Sequence, residues 1–112
     1  MRLANAGQAV IPAAKLRDYI LSQTHPVGRY KAAFFEGLGY KREEWQVLDR
    51  DLREQHLSLD ALEVEGNEFG RKFIIQGPFS GPAGVAESMV SVWIVLYDES
   101  APRFVTAYPG GS

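Results

Sequence analysis

Val85-Ala86-Glu87-Ser88-Met89-Val90-Ser91-Val92-Trp93-Ile94-Val95-Leu96-Tyr97 is the stretch whose reading decides the fold. It is rich in β-branched and aromatic residues and alternates with a period of two, so it reads as one long strand. Val90, Val92, Ile94 and Leu96 share one face, and Met89, Ser91, Trp93, Val95 and Tyr97 the other. Downstream, Asp98–Pro102 is a turn, Arg103–Tyr108 a last strand, and Pro109-Gly110-Gly111 an ending. Upstream, the turn-rich run 77–84 reads as a hairpin tip, preceded by a strand over Arg71–Gln76 and a weakly alternating Ala61–Glu65. Before residue 61 the period is helical. Trp45, Leu48 and Leu52 are spaced as one stripe of a helix over Arg42–His56. Thr24-His25-Pro26 starts another helix, with Thr24 or His25 as cap, and Gly37 and Gly39 end it. Pro12 opens a first helix over Ala13–Ser22, with Leu16, Tyr19 and Ile20 on one stripe. Ala9-Val10-Ile11 is a short edge strand. Helices followed by strands give an α+β fold: two to three N-terminal helices packed on a C-terminal antiparallel sheet of about four strands, with residues 1–112 forming a single domain.

Composition narrows the function classes. Hydrophobic residues make up 46% and charged residues 23%, the balance of a globular chain. There is no cysteine, which excludes a disulfide scaffold and a thiolate zinc site. Two histidines, His25 and His56, show no ligand spacing, so neither a metal nor a cofactor is expected. The N-terminus lacks the apolar core of a secretory signal and no stretch is long enough to span a membrane; a cytoplasmic protein, or a domain excised from a larger one, is expected. The Met1 start and Gly-Gly-Ser tail favour the first of these.

The net charge of −2 is segregated. Residues 15–42 carry six cations against two acids, a net +4; residues 43–68 carry nine acids against Arg50 and Arg53, a net −7. Without an overall basic excess, a tight non-specific grip on a phosphate backbone is not expected. A small basic site facing one short RNA segment is compatible with this distribution, and the acidic stretch reads as a solvated helix face.

The second helix holds the more informative side chains. At about 100° per residue, Val27, Tyr30, Phe34, Phe35 and Leu38 fall in one apolar arc, and Lys31 falls inside it. Such a lysine snorkels or aims its ammonium at an anionic group. His25 lies at the helix start, where free N–H groups and the dipole favour an anion, and Arg29 follows one turn later. The same dipole disfavours charge on the imidazole, which leaves it available as a base. In the last strand Phe104, Thr106 and Tyr108 alternate with Arg103, Val105 and Ala107; Val105 and Ala107 suit a core face, which leaves Thr106 and Tyr108 on the open face beside Ser91 or Trp93.

Thr24-His25-Pro26-Val27-Gly28-Arg29-Tyr30-Lys31-Ala32-Ala33-Phe34-Phe35, Val92-Trp93-Ile94-Val95 and Pro102-Arg103-Phe104-Val105-Thr106-Ala107-Tyr108-Pro109 together resemble a bacterial family, domain of unknown function 6883, over nearly the whole chain. More loosely, the order of elements and the closing Thr-Ala-Tyr-Pro resemble the barnase–EndoU–colicin–RelE group of nuclease folds. That resemblance implies a metal-independent ribonuclease of the toxin type, with His25, Lys31, Thr106 and Tyr108 mapping onto its site.

The expected reaction is RNA cleavage by internal transesterification. His25 takes the 2′-hydroxyl proton, Lys31 and Arg29 stabilise the phosphorane, Tyr108 serves the leaving oxygen, and Thr106 and Arg103 help to bind substrate. Because the helical apolar face and the Thr106/Tyr108 face should lie on opposite sides of the sheet, Lys31 and Thr106 can meet only near a sheet edge or an open end. The rival reading is a non-enzymatic module, an antitoxin, immunity protein or adaptor, that meets a basic protein partner through its acidic third helix; a third is an accessory domain of a phage or secreted toxin protein.

Overall fold

A computed structural model of the chain describes residues 1–110, the side chain of Tyr30 excepted. The expected positions of Tyr30 on the apolar arc and of Gly111 in the ending lie outside the described residues. Three helices come first. Helix α1 (Ala13–Lys15) runs directly into a wider π-type segment, Leu16–Ile20. Helix α2 spans Arg29–Gly37. A 3-10 turn, Arg42–Glu44, leads into α3 (Trp45–Asp51), which widens into a second π-type segment, Leu52–His56. Strands β1 (Leu62–Val64), β2 (Gly70–Ser80), β3 (Ala86–Leu96) and β4 (Arg103–Pro109) form one antiparallel sheet in sequence order. This is the α+β arrangement that the change of period predicts.

The hairpin between β2 and β3 is longer than expected. Pairing continues to Ser80↔Ala86, so the tip shrinks to residues 81–85 and Pro78 lies within the strand. A proline is tolerated there because β1 pairs only with Lys72, Phe73 and Ile74, which leaves the far half of β2 without a strand on that side. The bare edge is covered by the end of α3. The Gln55 amide accepts the Ser80 N–H at 2.8 Å and donates to the Ser80 carbonyl at 2.8 Å, and His56 Nε2 lies 3.3 Å from the Gly77 carbonyl. An exposed strand edge is thereby blunted.

The alternation of the last strand is broken by a bulge. Trp93 pairs with Phe104 but Val92 pairs with Thr106, so Val105 is an extra residue. Phe104 and Ala107 are consequently both buried in the core, while Val105 is only half-buried. The expectation that Val105 shares a core face with Ala107, and that Phe104 lies with Thr106 and Tyr108, is corrected by this shift in parity. Thr106 and Tyr108 stand opposite Val92 and Val90, not beside Ser91 or Trp93, which are themselves buried. The Ala9–Ile11 run makes one parallel bridge, in which Val10 N–H donates to the Pro102 carbonyl and Phe104 N–H to the Val10 carbonyl, both at 2.9 Å.

The helices pack on one face of the sheet. Leu16 and Ile20 from the first helix, Phe35 and Leu38 from α2, and Leu48 and Leu52 from the third helix meet Ile75, Phe79, Met89 and Trp93. Burying each large side chain stabilises the fold by about 1.5–3 kcal/mol. The apolar arc of α2 is centred on Ala32, Phe35 and Leu38; Val27 precedes the helix and is 53% exposed. A polar chain crosses the core: Trp93 Nε1 donates to Ser91 Oγ at 2.9 Å, and Ser91 Oγ and His56 Nδ1 are 2.7 Å apart. With His56 Nε2–H directed at the Gly77 carbonyl, every member has a partner. Nearby, buried Asp51 accepts the Tyr40 hydroxyl at 2.6 Å; burial foremost, then the bond to this carboxylate, pushes the Tyr40 phenol far up.

Candidate functional site

The first helix and α2 cross at very close range beside β4. Gly28 makes this possible: a Cβ at that position would collide with the Tyr19 carbonyl. Its own backbone is ordinary right-handed helix, so glycine is needed there for space and not for conformation. The crossing puts the start of α2 next to the Tyr19 ring.

His25 caps that start. Its Nδ1 accepts the N–H groups of Val27 and Gly28, each at 3.0 Å, and its carbonyl accepts the Arg29 N–H. These are the orphan donors that a helix start leaves open. The ring meets the Tyr19 ring edge-on at a centroid distance of 5.0 Å. Because Nδ1 is occupied as an acceptor, the neutral imidazole carries its proton on Nε2 and presents a donor.

Lys31 lies two residues into α2 and is half-buried. Its Nζ is 5.4 Å from the centre of the Tyr19 ring, and Lys15 Nζ is 5.5 Å from the same centre. The Tyr19 hydroxyl is 3.3 Å from Thr106 Oγ1. Lys31 and Thr106 therefore border one side chain, and they do so because β4 is an edge strand, where a residue facing away from the core is still within reach of a helix. Burial acts most strongly on the Tyr19 phenol and acts upward; the hydrogen bonds from Thr106 and Lys31 and the charges of Lys31 and Lys15 together outweigh it, and the net shift is downward. Pro12, Ala14, Lys15, Asp18, Tyr19, His25 and Val27 line an open depression of about 650 Å³ beside the cluster. Asp18 contributes little free charge to it, being held by Arg17 at 2.8 Å and Arg42 at 3.0 Å.

The remaining sequence candidates lie apart from this cluster or at its margin. Arg29 is exposed on the first turn of α2. Arg103 is clamped to Glu99 by two bonds of 2.7 and 2.8 Å at the start of β4. Tyr108 is 39% exposed, pairs across from Val90, and packs its ring near Gly110. Tyr19 is the residue that sequence reasoning missed, because its place on the apolar stripe with Leu16 and Ile20 accounts for it fully as core. The available signal was Lys15, four residues earlier on the same helix face. Among the described residues, no group of three or more His, Cys, Asp or Glu side chains is gathered that could hold a metal ion, and no helix is long and apolar enough to cross a membrane.

The fold and this cluster define a class: an α+β domain with three helices against one face of a four-strand antiparallel meander, carrying a tyrosine between two lysines at the sheet edge. Residues 2–111 match the family described as Domain of unknown function (DUF6883), and the chain belongs to that family. Its fold is similar to that of a chain in the solved contact-dependent growth inhibition toxin–immunity protein complex from Klebsiella pneumoniae 342, with a TM-score of 0.66 and 22% sequence identity over 90% of this chain and 99% of that one. A comparison with curated protein sequences finds no match.

Proposed function

We propose that the domain is a toxin-type, metal-independent endoribonuclease that cleaves RNA by attack of a 2′-hydroxyl on the adjacent phosphodiester. The observation that carries this reading is the meeting of Lys31, Lys15 and His25 around the Tyr19 ring, with Thr106 at its hydroxyl. Internal transesterification needs a proton acceptor, a proton donor and positive charge beside the phosphorane, and needs no external nucleophile. A tyrosine, a histidine and two ammonium groups supply those elements. The fold's likeness to a chain of a toxin–immunity complex supports the toxin-type setting. Among the described residues two lysines stand at the ring, in keeping with a site that grips one short RNA segment and not a long duplex. The test is total RNA incubated with the purified protein in EDTA, wild type against Lys31→Gln, with growth followed on induced expression. Cleavage and growth arrest that are both lost in Lys31→Gln are expected; intact RNA and normal growth with the wild type would overturn the reading.

The same likeness admits a second reading, since that complex contains an immunity protein as well as a toxin. In this case exposed Glu43, Glu44 and Glu54 around α3 form an acidic surface for a basic protein partner. Co-expression with the product of the adjoining gene separates the two: a stable complex that relieves that product's toxicity favours an immunity role, and relief of this chain's own toxicity favours the nuclease.

A further inference from the structure

Tyr19 is touched from three parts of the chain. Lys15 reaches it from one turn earlier on its own helix, Lys31 and the His25 ring from α2 and the turn before it, and Thr106 from β4. Asp18, the nearest acid on the same helix, is engaged by Arg17 and Arg42. The phenol oxygen thus has the Thr106 hydroxyl beside it, two ammonium groups stand within 5.5 Å of the ring centre, and among the described residues no carboxylate is bonded to it. Burial raises the phenol pKa, and the bonds from Thr106 and Lys31 with the charges of Lys31 and Lys15 outweigh it and bring it below its usual value. His25 is disposed in the opposite sense. Its Nδ1 lone pair is used by two backbone N–H groups, so Nε2 carries the proton; to accept another there, the ring would have to release both bonds and uncap α2.

Resting on the ribonuclease reading, we propose that Tyr19, and not His25, is the proton acceptor of the site, that Lys31 is the matching proton donor, and that Lys15 holds the phosphate. In the step, the 2′-oxygen attacks phosphorus while its proton passes to the Tyr19 phenolate oxygen. The P–O5′ bond breaks, and the departing O5′ takes a proton from the Lys31 ammonium. The products are a 2′,3′-cyclic phosphate and a 5′-hydroxyl. The Tyr19 phenol then returns its proton to the Lys31 amine, which restores the starting ion pair. His25 Nε2–H donates to a non-bridging phosphate oxygen throughout and does not change protonation state.

The experiment is single-turnover cleavage of a short RNA in EDTA across a range of pH, by wild type, Tyr19→Phe, Lys15→Gln and His25→Asn, with circular dichroism to check each fold. Ultraviolet absorbance of the phenolate is titrated on the same proteins. The wild-type rate should rise with pH until the Tyr19 phenolate is formed, in step with its absorbance. Tyr19→Phe should lose about 10²–10⁴-fold and its phenolate step. Lys15→Gln, at a half-exposed position that leaves the fold intact, should move the rising limb to higher pH because one favouring charge is gone. His25→Asn, whose side-chain oxygen replaces the Nδ1 acceptor, should keep the limb. An active Tyr19→Phe, or a limb that vanishes in His25→Asn and stays in Tyr19→Phe, overturns the assignment and leaves the ribonuclease standing. A wild type inactive on RNA overturns the ribonuclease, and this mechanism with it.

Discussion

The two ring nitrogens of His25 are engaged differently. Nδ1 caps α2, which leaves Nε2 as the donor nitrogen of the neutral ring. His25→Ala should therefore lower stability by about 1 kcal/mol, the usual cost of a lost cap, and His25→Asn should restore most of it; urea unfolding checks both. Ser91 has a double task, accepting from Trp93 and meeting His56 in a buried chain. Ser91→Ala leaves two buried polar groups without partners at about 1–3 kcal/mol each, so a loss of about 2–6 kcal/mol is expected in the same assay. His25 was legible as a cap because Thr24-His25-Pro26 is a local signal. Tyr19 was not legible as a site residue, since the stripe that placed it in the core is satisfied whether or not its hydroxyl is used.

Among the elements, the crossing of the first helix with α2 positions the whole cluster. Gly28→Ala tests it sharply. Gly28 stands at the N-cap of α2, where alanine brings no helix-propensity gain to offset a clash. Here the added methyl meets the Tyr19 carbonyl, and a net loss of about 1–3 kcal/mol is expected, with a changed Tyr19 environment in near-ultraviolet circular dichroism. The order and type of the elements could be read from period alone, since helix and strand spacings differ. The β4 bulge could not, because one extra residue leaves the composition of Arg103–Pro109 unchanged while turning Phe104 inward. Nor could the reach of β2 through Pro78: whether a proline fits a strand depends on whether a neighbour needs its N–H, and that neighbour is set by the length of β1.

For the molecule as a whole, pH acts first through His56. This ring is fully buried, and burial chiefly pushes its imidazole below the usual 6.5. The unfolded chain takes up a proton near pH 6.5 that the folded chain resists. The stability present above that pH is therefore lost as pH falls toward the lower folded value. Urea midpoints should drop between about pH 7 and pH 5.5, before the carboxylates titrate; a flat profile would show that the buried ring accepts its proton freely. Ionic strength reports on the proposed site in a different way. Lys15 and Lys31 meeting the one scissile phosphate of a single strand give a slope of about 0.7 for log KM against log salt. A much steeper slope would mean that the wider basic region, residues 15–42, also grips RNA.

The sequence by itself determined the α+β class, the three helices, the strand-rich second half and the segregation of charge, because hydrophobic period and charge are properties of neighbouring residues. It also placed His25, Lys31 and Thr106 on named elements. Only the tertiary structure decided that Lys31 and Thr106 share Tyr19, that Arg103 is held by Glu99 at the start of β4, and that His56 belongs to the core. Those outcomes depend on how closely two helices can cross, which strand lies at the sheet edge and where one residue bulges. Each is a relation between segments far apart in the chain, and no local pattern carries it.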